Sequence, residues 1–268
     1  MKNYITLFLL LAFILSCSKE RPQGRIVLAG TTMIISLVRD LDPDLAIMNL
    51  VPPGQCPGHF DLKPSDALSI RKAAFLMIHP FQKYLVAKIQ KINPLIKIHI
   101  ITSPDLTVPE NYFSALKEME TILSRYFPDD SLKIKTNREQ TIKTIQQTVE
   151  KERSFLERIK KKRIKVIASA FQKGFCEYLG LEVIATFAGL ESSGLKQIEK
   201  IRRDSKREGI DYIISNRTGD HHPTALVFEK RLNKKIIIFA NFPDFSRDPM
   251  FLHLWSGNLE QLKKGLEE

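Results

Sequence analysis

Apolar residues along this chain follow two periods, and the way the periods alternate sets out an architecture. Short runs rich in Ile, Val, Leu and Phe recur at 26–29, 46–51, 74–78 and 97–102, and again at 165–168, 182–186, 212–215 and 235–239. Runs of that length and composition read as buried strands. Between them the apolar spacing widens to three and four, which predicts amphipathic helices over 32–41, 65–72 and 81–92 in the first half. In the second half the same spacing predicts helices over 171–179, 195–208, 224–232 and 252–266. Thr31 or Thr32 supplies a start signal for the first helix, and Ser65 behind Pro64 supplies one for the second. Strands alternating with helices, twice over, predict an α/β chain of two lobes, each a parallel sheet with helices on both faces.

The segment between the halves has a different pattern. Residues 137–162 hold no Gly or Pro, and Ile142, Ile145, Val149, Leu156 and Ile159 fall at helical spacings among charged residues. This predicts one long rigid helix of about 40 Å. Its apolar stripe is too narrow for burial all round, so it should lie on the outside and touch both lobes. A coiled-coil seam is disfavoured, because Glu152 would sit in it. The expected division is a first lobe over 25–128, a linker helix over 129–163 and a second lobe over 164–268.

The beginning of the chain changes where the protein is expected to work. Met1-Lys2-Asn3 precedes an apolar run from Tyr4 to Leu15, which is too short to remain as a membrane span. Ile14-Leu15-Ser16-Cys17 resembles a bacterial lipobox. The expectation is a signal peptide over 1–16, lipid attachment at Cys17, a tether over 17–24 and an extracytoplasmic, membrane-anchored body on the periplasmic or cell-surface face. The chain of 268 residues carries a formal charge of +11. Nucleic acid is not the expected partner, because Lys and Arg are interspersed with Glu along the helices and an exported protein rarely meets it. The excess reads as a solvated surface with some attraction for anionic lipid headgroups. A monomer is expected.

Candidate chemistry concentrates in the loop after the second strand, from Val51 to Asp66, which four prolines stiffen. Loops at the carboxyl ends of parallel strands line the crevice where ligands bind. Cys56 and His59 form a C-x-x-H pair whose thiolate and imidazole can meet one transition metal, with Asp61 placed to orient the histidine.

Leu50-Val51-Pro52-Pro53-Gly54, His59-Phe60-Asp61 and Pro64-Ser65-Asp66 resemble the solute-binding proteins of zinc- and manganese-importing ABC transporters, the family with a helical backbone between its lobes. His59 falls on that family's first metal-binding histidine. The resemblance implies two α/β lobes joined by a rigid helix, a metal between them and an ABC permease as partner. The chain departs from the family where the other ligands stand. Glu110 replaces the second histidine, 169–175 lacks the third ligand, and Asn241 meets the position of the last carboxylate. It looks closer to a variant branch with C-P-G-H-[YF]-D in the first lobe, a Gln before F-x-x-[WY]-L-G in the second and N-F-P near the end. Here these are Cys56 to Asp61, Gln172 ahead of Phe175 to Gly180, and Asn241 to Pro243. In that reading Cys56 is a replacement ligand.

Further candidate ligands are Gln172, His79, His221 and His222, with Asn216 and Asn241 shaping the cleft and His99 read as a strand residue with a local partner. A thiolate with an imidazole favours zinc over manganese. Cys56 and Cys176 form an even pair in an oxidising compartment, which leaves a disulfide between them open. Loss of the usual ligands leaves a second alternative, a binding protein for a non-metal or chelated solute, or a surface adhesin. A nucleophilic Cys56 activated by His59 lacks an oxyanion turn and a third orienting group, so a binding protein is expected, not an enzyme.

Overall fold

The computed structural model of the chain describes residues 26–190, 192, 194–219 and 221–267. The expected signal peptide, Cys17 and the tether lie outside the described residues. Each half holds a four-stranded, all-parallel sheet with the same topology, in the order β2-β1-β3-β4 and β6-β5-β7-β8. The first sheet is built from β1 (Ile26–Ala29), β2 (Ala46–Asn49), β3 (Phe75–Ile78) and β4 (Lys97–Ile100). The second is built from β5 (Lys165–Ser169), β6 (Glu182–Phe187), β7 (Tyr212–Asn216) and β8 (Ile236–Phe239). The strands read at 46–51 and 97–102 stop two residues early. Leu50 and Ile101 each still donate one hydrogen bond to the neighbouring strand, to Ala29 and Ile78.

Helices α1 (Thr32–Leu41) and α2 (Asp66–Lys72) begin near the sequence's start signals. The Thr31 hydroxyl accepts from the Ile34 N–H and caps α1, whereas Ser65 makes no side-chain cap. The helix read at 81–92 is a 3-10 turn over Pro80–Leu85 leading into α3 (Val86–Ile92). A helix absent from the sequence reading, α4 (Pro109–Tyr126), follows the first sheet. It has Pro at its start and buries Tyr112, Ala115, Leu116, Met119 and Leu123, a helical spacing that was available in the sequence.

The long helix is present but not continuous. It runs as α5 (Ser131–Lys151) and α6 (Arg153–Lys162), with Glu152 between them at φ −95°, ψ 0°. Ile134, Ile145, Leu156 and Ile159 are buried along its stripe, with Ile142 and Val149 packed beside them. The second half continues with α7 (Lys173–Leu179), α8 (Leu195–Glu208), α9 (His221–Leu232) and α10 (Met250–Glu267). Glu152 reaches Lys263 on α10 at 2.7 Å, so the irregular residue ties the linker to the second lobe.

The two lobes do not have separate cores. Instead one apolar cluster runs from β1, α1 and α4 through the linker into β5, α7, β8 and α10, with Tyr112 stacked on Phe251 at 3.9 Å across the lobes. Two smaller clusters cover the outer faces of the sheets. No described helix is long and apolar enough to cross a membrane.

Candidate functional site

The carboxyl ends of strands from both sheets meet where the lobes face each other. From the first lobe come Thr31 after β1, the Pro-rich loop after β2 and His79 after β3. From the second come Ser169 and Gln172 after β5, Asn216 and His221 after β7 and Asn241 after β8.

The Pro-rich loop is fixed at several points. Phe60 is buried in the first lobe's outer core, and the Tyr84 hydroxyl lies 3.0 and 2.8 Å from the Pro57 and Phe60 carbonyls. The His59 N–H closes a turn onto the Cys56 carbonyl at 3.1 Å. Cys56 is half-buried, and its Sγ stands 3.9 Å from where a side chain would begin at Gly219 of the second lobe. Gly219 has φ +86°, which suits glycine and leaves the sulfur room. The thiol therefore lies at the boundary between the lobes, whereas the His59 side chain is exposed.

Asp61 does not orient His59. Its carboxylate accepts from the Leu62 N–H and from Lys88, and Lys88 holds its pKa below the ordinary value. The turn places Asp61 on the solvent side, within reach of a cation on α3. Cys56 and Cys176 are both free thiols, so the disulfide is not formed. Cys176 is fully buried inside the shared core, and burial raises its pKa strongly.

Three of the candidate ligand histidines are engaged by hydroxyl groups. His79 Nε2 lies 2.9 Å from Thr31 Oγ1, His221 Nδ1 lies 2.7 Å from Ser169 Oγ, and His222 Nδ1 lies 3.0 Å from Ser215 Oγ. Gln82 fixes the His79 loop by accepting from the His79 N–H and donating to the Gly30 carbonyl. Burial lowers the His79 pKa to about 4, so the imidazole is neutral at physiological pH. Each lobe also sets a half-exposed phenylalanine against its buried histidine. Phe81 stacks on His79 at 5.0 Å and Phe171 on His221 at 4.3 Å, and both phenylalanines are 50% exposed.

Gln172 is fully buried in the second lobe. Its Nε2 donates to Asn216 Oδ1 at 2.8 Å and to Asn241 Oδ1 at 3.2 Å, and its Oε1 has no hydrogen-bond partner. A buried amide oxygen left unpaired costs on the order of 1–3 kcal/mol. Glu110 is exposed at the start of α4, where its charge helps burial raise the hydroxyl of Tyr178 in the second lobe to about 12. His99 pairs with the Tyr126 hydroxyl at 3.0 Å as a strand residue.

The sequence reading missed Thr31, Ser169, Gln82 and Asp105 as contributors. Asp105, from the loop before α4, faces Gly174 closely, so a first-lobe carboxylate meets a second-lobe helix beside Gln172. Among the described residues, no three His, Cys, Asp or Glu side chains converge closely enough to hold a metal ion. One cavity in the gap, of about 30 Å³, is lined by Thr31, Pro52 and Pro57 on one side and Thr218 and Phe242 on the other. It has room for a single water-sized or ion-sized occupant.

No family model matches the chain, and no curated protein matches it. Solved structures do. The cadmium-bound and manganese-bound forms of a periplasmic metal-binding protein from Candidatus Liberibacter asiaticus each superpose with a TM-score of 0.76 at 15% identity, covering 90% of this chain and 99% of that one. The solute-binding protein FpvC from P. aeruginosa, in complex with Ni2+, superposes with a TM-score of 0.73 at 14% identity, covering 91% of this chain and 97% of that one. At this identity the likeness concerns the backbone, and it spans both lobes and the linker. The chain has the two-lobed α/β fold of solved periplasmic metal-binding proteins.

Proposed function

We propose that the protein is an extracytoplasmic solute-binding lipoprotein that captures a transition-metal ion between its lobes and presents it to an ABC permease. The observation that carries the reading is the position of Cys56, a thiol on a prolyl-stiffened loop of one lobe, held against Gly219 of the other. What further supports it is the fold shared with proteins solved with manganese, cadmium and nickel.

In this reading Cys56 and His59 are the first-lobe ligands, and the buried, unpaired Gln172 oxygen is the second-lobe donor, held in place by Asn216 and Asn241. The exposed His59 ring turns into the gap by side-chain rotation when metal arrives. His79, His221 and His222 keep their hydroxyl partners and shape the rim. Sulfur with nitrogen favours zinc. Capture releases the thiol proton, so it weakens as pH falls. Titration calorimetry with zinc and with manganese tests this. The expected result is zinc binding tighter than manganese, with Cys56→Ser and His59→Ala each weakening zinc by at least about tenfold. Variants that bind zinc as the parent does would remove the site from the Pro-rich loop.

The half-exposed rings of Phe81 and Phe171 favour one other reading, a chelated metal or planar organic solute stacked at the rim. Zinc affinity no better than that of Cys56→Ser, together with retention of a planar chelate, would select it.

A further inference from the structure

A second cavity lies at the opposite end of α1 from the gap. Asp40 is nine residues along the helix from Thr31, about 13 Å away along its axis. The cavity holds about 210 Å³ and is enclosed by α1, α5 and the start of α10. That is room for about seven waters. Its lining is mostly apolar, with Ile145, Phe251 and Leu252, and includes Asp40, Thr141 and Thr144.

Asp40 has an unusual setting for a carboxylate. The Tyr112 hydroxyl donates to its Oδ2 at 2.7 Å, and the Tyr112 ring is held by its stack on Phe251. The neighbouring cation, Arg39, is already engaged by Asp248 and by the Phe245 carbonyl. Asp248, on the segment leading into α10, repels the Asp40 charge. The linker face offers Gln140, Thr141 and Thr144, none of which is charged. Burial accordingly raises the Asp40 pKa to about 6, so near neutral pH the group is an anion without a paired cation among the described residues.

We propose that this cavity is a second binding site, for a small organic monocation with an apolar body, such as a primary alkylammonium ion, whose charge meets Asp40 and whose chain covers Ile145, Phe251 and Leu252. The site does not depend on the metal reading. Its walls come from the first lobe, the linker and the second lobe, so an occupant bridges all three and stiffens their arrangement.

Titration calorimetry with n-butylammonium chloride, and with n-butanol as its uncharged counterpart, tests the site at about pH 8 and about pH 5. At the higher pH butylammonium binds at least about tenfold tighter than butanol, and the preference falls at the lower pH as Asp40 takes up its proton. Asp40→Asn abolishes the preference, and Thr144→Phe, which fills the cavity and leaves the carboxylate in place, abolishes binding. Cys56→Ser leaves butylammonium binding unchanged, which separates this site from the gap. Equal binding of butanol, unchanged binding in Asp40→Asn or Thr144→Phe, or no detectable binding of either probe would overturn the proposal.

Discussion

At Gly30 there is no space for a side chain, because a Cβ there would stand 2.5 Å from the Gln82 Oε1 that accepts from His79. Gly30→Ala is expected to push Gln82 off its two backbone partners and cost about 1–3 kcal/mol, read from the urea midpoint; an unchanged midpoint would contradict it. His79 and Asp40 shape the pH response in opposite directions. The folded pKa of His79, about 4, lies below the ordinary value of 6.5, so the unfolded chain binds more protons between them. Stability from this group is lost as pH falls through that window, by up to about 3 kcal/mol. The folded pKa of Asp40, about 6, lies above 3.8, so its contribution is lost as pH rises through that window instead. The two effects oppose each other between about pH 4 and 6. His79→Gln is expected to leave the Asp40 slope alone, with stability now falling as pH rises through this range. Chemical denaturation across the range checks this, and a variant that keeps the parent's pH dependence would show that the buried imidazole is not responsible.

At the scale of elements, Ile145 is one of the linker residues buried in the shared core, with Ile134, Leu156 and Ile159. Ile145→Ala is expected to cost about 2–4 kcal/mol, measured by denaturant unfolding, and a loss near zero would mean the linker rests on the lobes without helping to hold them. Most of the α/β pattern was legible because strands of four to six apolar residues and helices of period 3.6 leave different spacings. The helical spacing from Tyr112 to Leu123 carried α4 as well, diluted by the charged and polar residues between the buried positions. The irregular residue at Glu152 was not legible, since no Gly or Pro marks it; its partner, Lys263, lies 111 positions away. The site was legible as a loop and illegible as a geometry. Cys56 was legible from the C-x-x-H spacing and Gln172 from the resemblance to the variant branch; the thiol lies at the lobe boundary and the amide is buried behind it. The hydroxyl partners of His79 and His221 are 48 and 52 residues distant, and local spacing carries no trace of such pairs. Asp61 misled because nearness in sequence suggested His59, whereas the turn gave it to Lys88.

At the scale of the molecule, a single core crossing the lobes and a helical linker leave little freedom for a wide hinge. The lobes are expected to unfold together, with coincident near- and far-UV transitions; two resolved transitions would contradict the shared core. Ligand capture then falls to the loops at the gap, the Pro-rich loop above all. The most direct test of the account is X-ray absorption at the zinc edge of the zinc-loaded protein. A sulfur neighbour at about 2.3 Å that disappears in Cys56→Ser is the expected result. Full zinc loading with only nitrogen and oxygen neighbours would contradict the central claim.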